Sequence, residues 1–188
     1  MFIQTETTPN PATLKFLPGE TVLGSGTADF PTPETGAASP LARRIFAVDG
    51  VTGVFLGRDF VTVTKADQVP WDHRKPSVLG AIMEHFQSGA PAIEGAAADT
   101  GGHVAHEAGP DAEIVVQIKE LLDTRVRPAV ADDGGDIVFR GFRDGIVRLH
   151  LQGACSGCPS SRATLKHGVE NMLRHYVPEV VAVEQVDA

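Results

Sequence analysis

Gly145-Ile146-Val147-Arg148-Leu149-His150-Leu151-Gln152-Gly153-Ala154-Cys155-Ser156-Gly157-Cys158-Pro159 is the stretch on which the reading of the fold turns. Val147, Leu149 and Leu151 alternate with Arg148, His150 and Gln152, the period of a strand with one face inward and the other exposed. Beyond Pro159, residues Leu165, Val169, Met172, Leu173 and Tyr176 fall on a single helical face, predicting a helix over 159–177. A proline at the first helical position makes Cys158 the expected N-cap. Ile137–Gly141 forms a hairpin with the first strand around Arg143-Asp144, and Val180–Val186 reads as a closing strand.

Upstream, a helix is expected from Asp111, with Ile114, Ile118, Leu121 and Leu122 inward and an end or kink at Pro128. Asp132-Asp133-Gly134-Gly135-Asp136 reads as a turn, not a hard-metal site. Residues 88–110 contain 14 Ala, Gly or Pro among 23 positions, and Ile93 and Val104 are their only large aliphatics. Such a stretch buries no face of its own and reads as a flexible linker. It separates a domain over 1–87 from one over 111–188. The first half shows short extended segments around Phe2–Thr7, Thr13–Phe16 and Glu20–Leu23. Ser39-Pro40 reads as the N-cap and first residue of a helix, and Gly50 closes it. A hairpin over 51–56 and 60–64 follows, then a helix from Pro76 to Ser88 capped by Gly89. The expected fold class is α/β (α+β): two small domains, each a small sheet packed with helices.

The 188 residues carry 16 basic and 24 acidic side chains, a net charge of −8, with 42% hydrophobic and 21% charged residues. This is globular composition, and its acidity argues against nucleic acid as a partner. No apolar run reaches the roughly 20 residues a membrane span needs. Met1 stands directly before the first domain with no basic leader, so a cytoplasmic location is expected. Ser–His–Asp spacing, paired carboxylates and a phosphate loop are all missing, so no enzyme is expected. His103 and His106 are expected solvated in the linker, His150 on the exposed face of its strand, and Trp71 and Phe86 in packing roles.

Cys155 and Cys158 are the only cysteines. Placed at a helix start, they gain from unpaired backbone N–H groups and the positive end of the dipole, both of which favour a thiolate. A thioredoxin-like dithiol would need much of its sheet after the motif, but only 30 residues follow Cys158. Zinc within one chain is poorly served: His167 and His175 would splay about 80° apart on a helix. Zinc and cysteine-ligated iron–sulfur clusters both take four ligands, so two chains donating one pair each across a two-fold axis suit either.

The runs Arg127-Pro128-Ala129-Val130-Ala131-Asp132-Asp133-Gly134-Gly135-Asp136 and Leu151-Gln152-Gly153-Ala154-Cys155-Ser156-Gly157-Cys158-Pro159-Ser160-Ser161-Arg162 resemble the C-terminal domain of NifU-type scaffold proteins. Thr5-Glu6-Thr7-Thr8-Pro9-Asn10-Pro11-Ala12-Thr13-Leu14-Lys15-Phe16 resembles the N-terminal domain of Nfu proteins. The resemblance implies an iron–sulfur cluster carrier. Cys155 and Cys158 would be the ligands of a 4Fe–4S cluster bridging two subunits, in a homodimer formed on cluster binding. Its partners would be apo iron–sulfur client proteins and cluster-assembly proteins. Mitochondrial members carry a targeting extension, so a bacterial cytoplasm is the location this reading expects. A thiol–disulfide oxidoreductase and a zinc-bridged interaction module are the alternatives.

Overall fold

The computed structural model describes residues 1–95, 102–103, 109–157 and 159–187. Two sheets organise it, each packed with helices, as the sequence pattern requires. The first holds five antiparallel strands in the order β1 (Gln4–Thr7), β2 (Thr13–Leu17), β5 (Val61–Lys65), β4 (Val51–Leu56), β3 (Ala28–Phe30). Helices α1 (Pro40–Phe46) and α2 (Trp71–Ser88) cover one of its faces. Phe16, Val54, Leu56, Val61 and Val63 point to that side and pack with Leu41, Ile45, Val78 and Ile82. Ser39 caps α1 through its side chain, which accepts from the Ala42 N–H at 3.0 Å. Gly89 closes α2 in the left-handed region at φ 66°.

Two expectations in this half need correction. Glu20–Leu23 is not a strand: the N–H groups of Val22 and Leu23 both donate to the Arg58 carbonyl, which bends the segment into a loop. The edge strand is Ala28–Phe30, obscured in sequence by its three-residue length and the central Asp29. Helix α2 starts at Trp71 and accommodates Pro76 inside it, so that proline is not the first helical residue.

The second sheet has the order β6 (Gly135–Arg143), β7 (Ile146–Gly153), β8 (Ala182–Gln185). A left-handed Asp144 (φ 53°) and Gly145 (φ 77°) make the tight β6–β7 turn. Strand β8 runs parallel to β7, and the crossover is the single turn α5 (Ala154–Gly157) plus α6 (Pro159–Tyr176). Helix α3 (Ala112–Leu121) passes through one wide turn at Leu122–Val126 into α4 (Arg127–Asp132). Pro128 therefore meets the start of a new segment, where its missing N–H is tolerated. Val115, Ile118, Leu122 and Val130 pack on Phe139, Val147 and Leu149, with Val169 and Leu173 of α6 closing the core. Tyr176 departs from its expected inward position: it is 47% exposed, while Val177 beside it is buried in the core. Its ring lies under the Arg125 guanidinium at 4.9 Å.

Some residues of the 88–110 stretch are packed. Ser39 Oγ donates to the Ala92 carbonyl at 2.5 Å, and Glu94 N–H donates to the Ala38 carbonyl at 2.9 Å. His103 is not solvated as expected: its Nδ1 accepts from the Phe139 N–H at 2.8 Å, and its Nε2 lies 3.0 Å from Asp123. Burial holds its pKa below the ordinary histidine value, against the opposing pull of Asp123. His106 lies outside the described residues.

Asp136, read from sequence as a turn residue, is a buried strand carboxylate. Arg127 grips it with two bonds, Nε to Oδ1 at 2.8 Å and a terminal nitrogen to Oδ2 at 2.6 Å. Burying a carboxylate is tolerable only with such a partner. Removing the guanidinium in Arg127→Ala should cost about 3–5 kcal/mol of unfolding free energy, read from denaturant midpoints. Arg127→Lys, which cannot form the fork, should recover only part of it.

Candidate metal centre

Register in the first sheet determines what meets the cysteine loop. Glu6 pairs with Lys15, Lys15 with Thr62, Thr62 with Phe55, and Phe55 with Asp29, so these five share the face away from α1 and α2. An alternating strand usually sends such a face to water. Here Lys15, Phe55 and Thr62 are buried, because the second domain covers them.

The contacts are specific. Thr62 Oγ1 donates to the Gly134 carbonyl at 2.7 Å, and Lys15 Nζ donates to the Asp132 carbonyl at 3.2 Å. Thr27 Oγ1 donates to Asp136 Oδ2 at 2.7 Å. The Phe55 ring lies so close to Gly153 (φ 63°) that a Cβ there would sit 2.9 Å from the ring. Asp29 is half-buried at this seam, and desolvation raises its pKa to about 6 against the opposing influences of His150 and the Gly153 backbone. Gln152, expected on the exposed face of β7, is only 3% exposed because this seam closes over it.

Cys155 stands in the α5 turn directly after β7. The Ala154 N–H donates to the Gly134 carbonyl at 3.1 Å, and Ser156 Oγ donates to the Gly153 carbonyl at 2.8 Å, so both flanks of the cysteine are tied to the ends of β6 and β7. Gly135 pairs with Gly153 across the ladder. A Cβ on Gly135 would lie 2.8 Å from Cys155 Sγ and 2.6 Å from the Gln152 carbonyl, so only glycine admits the sulfur here. The thiol is a free one, 7% exposed, and borders a 320 Å³ cavity lined also by Pro9, Asp133, Ser160, Thr164 and Leu165.

The helix-start effect expected to favour a thiolate does not prevail at Cys155. Burial first, then the nearby carboxylates of Asp133 and Asp136, push its pKa up to about 12. The neutral thiol is the resident form in this docked chain, and a metal or cluster must displace its proton. A soft sulfur at a cavity edge, with the hydroxyl-bearing Ser160 and Thr164 beside it, suits thiophilic metals or iron–sulfur chemistry. Cys158, the other expected ligand, lies outside the described residues; α6 begins directly after it, at Pro159, as the sequence indicates. Among the described residues, no group of three or more His, Cys, Asp or Glu is placed to hold a metal ion. Sequence reasoning missed the seam residues Asp29, Phe55 and Thr62 altogether. Only their shared strand parity was legible, and parity does not say what covers a face.

Residues 3–89 match the family model "Scaffold protein Nfu/NifU N terminal", and residues 118–184 match "NifU-like domain". "NifU-like protein 5, mitochondrial" of Arabidopsis thaliana is 55% identical over 188 residues, covering 98% of this chain and 68% of that protein. "NFU1 iron-sulfur cluster scaffold homolog, mitochondrial" of Homo sapiens is 53% identical over 189 residues, covering 99% and 72%. A solution structure of a NifU-like protein from Saccharomyces cerevisiae aligns with a TM-score of 0.45 and 30% identity, over 50% of this chain and 84% of that one. These relatives overturn the expectation of a bacterial cytoplasm, since both curated relatives are named as mitochondrial. That expectation rested on where the chain begins, and the packed residues of a domain carry no record of an address. With both of its domains matched and such identity along its whole length, the chain belongs to the Nfu/NifU family of iron–sulfur cluster scaffold proteins.

Proposed function

We propose that this chain carries a 4Fe–4S cluster as cargo, held by Cys155 and Cys158 from each of two copies, and passes it to apo iron–sulfur proteins. The observation that carries the reading is Cys155: a free thiol at the edge of a cavity, in a loop whose flanking glycines leave room around the sulfur. Two thiols per chain supply half of the four cysteines a cluster takes, so a two-fold pair of chains completes the set. In this reading residues 111–188 hold the cluster, residues 1–87 meet clients or assembly partners, and residues 88–110 tether the two.

Sharing also serves transfer. Each chain contributes only two sulfurs, so a client's cysteine can displace them stepwise, and a released Cys155 thiolate regains a proton that its surroundings favour. The same raised pKa counts against Cys155 as the attacking group of a dithiol enzyme, because the thiolate is the nucleophile. The printed name of the human relative, an iron–sulfur cluster scaffold homolog, supports the carrier reading.

The test is anaerobic purification followed by iron, sulfide and zinc analysis, with visible absorption and sizing on the same sample. The expected product is a brown dimer with about two irons and two sulfides per chain. Cys155→Ala and Cys158→Ala should each abolish the colour. A colourless dimer with one zinc per two chains would replace the cluster by a zinc bridge. Gly135→Ala should lower cluster loading and cost about 1–3 kcal/mol, since its methyl would meet both the Cys155 sulfur and the Gln152 carbonyl. Cluster content and denaturant midpoints read the two effects separately.

A further inference from the structure

The face that covers the cysteine loop is built for contact but not for permanence. Its row of Asp29, Phe55, Thr62 and Lys15 meets the second domain mainly through a hydroxyl, an ammonium and a carboxyl, with Phe55 as the one large apolar member. Thr27 adds a second hydroxyl bond, to Asp136. Each domain keeps its own hydrophobic cluster, and the two clusters have no residue in common. Polar seams between independently cored domains resemble transient interfaces, for which relative motion is the default.

The seam also occupies the ground that a second copy would need. Two cysteine loops sharing one cluster must face each other across the two-fold axis. On this loop, Phe55 lies against Gly153, and a Cβ on Gly157 would sit 2.5 Å from the Asn10 amide nitrogen. Pro9 stands at the cavity that Cys155 borders. The first domain thus stands on both flanks of the loop and at the mouth beside the sulfur.

We propose that the Asp29–Phe55–Thr62–Lys15 face is a reversible cover for the cysteine loop, in direct competition with a second copy of this chain. The docked chain is the monomeric, cluster-free state, and sharing a cluster requires the first domain to leave. The second half of this statement rests on the shared-cluster reading above. The first half concerns the empty chain alone.

The full-length apo chain with Cys158→Ser carries a single thiol, and the rate at which N-ethylmaleimide modifies Cys155 reports its cover. Thr62→Arg places a bulky cation against the Gly134 carbonyl and should raise that rate about 10-fold by opening the seam. Thr62→Ser, which keeps the hydroxyl, should label at the parent rate. Circular dichroism checks that Thr62→Arg is folded; if it is not, Lys15→Met, which removes the bond to Asp132 together with the ion pair to Glu6 and the cation–π contact with Phe60, takes its place with the same expected direction. A folded variant of either kind that labels at the parent rate overturns the cover. In the chain with both cysteines, loading with iron and sulfide should raise amide hydrogen exchange at Thr8, Asn10 and Ala12 as dimers form. A brown dimer in which those residues stay as protected as in the apo chain overturns the competition. Failure to take up iron and sulfide, alongside faster labelling of Thr62→Arg, would instead sink the shared-cluster reading and leave the cover standing.

Discussion

The Gly134 carbonyl is the point on which the two halves of the molecule converge. One lone pair takes the Ala154 N–H, which holds the cysteine turn to the end of β6. The other takes the Thr62 hydroxyl, which brings the first sheet down on that turn. A carbonyl oxygen has capacity for both bonds, so neither is made at the expense of the other. The position of Cys155 and the docking of the first domain are therefore set by the same atom, two residues ahead of a buried carboxylate.

That carboxylate, Asp136, repeats the pattern at higher charge. Arg127 neutralises it from within the second domain, and Thr27 reaches it from the first. The ion pair secures the cysteine domain on its own, and the hydroxyl adds a contact that the first domain can gain or lose. The seam is thus laid over an already satisfied structure, in keeping with the separate cores of the two domains. Around the sulfur the electrostatics favour a neutral thiol, through desolvation and two acidic neighbours.

Much of the architecture was legible from pattern. The alternation in 145–152, the helical face from Leu165 to Leu173, the Ser39-Pro40 cap and the Gly89 terminator all act over a few residues, and each forms as local rules require. Where local signals were weak, the reading failed. Ala28–Phe30 is too short to show a period, and Val22 and Leu23 are buried without being a strand. Tyr176 fits the helical stripe but is half exposed, with its ring against the Arg125 guanidinium.

The sequence by itself determined the two domains, the elements that carry them and the pair of cysteines at a strand-to-helix junction, because these depend on spacing along the chain. Only the tertiary structure decided what lies against Cys155. Asp29, Phe55 and Thr62 span 33 positions in sequence and lie more than 90 positions from the cysteine, and they meet its loop only through the register of a five-stranded sheet. Strand parity says which residues share a face; whether that face meets water or another domain is a matter of packing between distant segments. Cys155 itself is buried in the core of its own domain, with Pro9 of the first domain at the cavity it borders, and that meeting of distant segments is encoded by no local pattern.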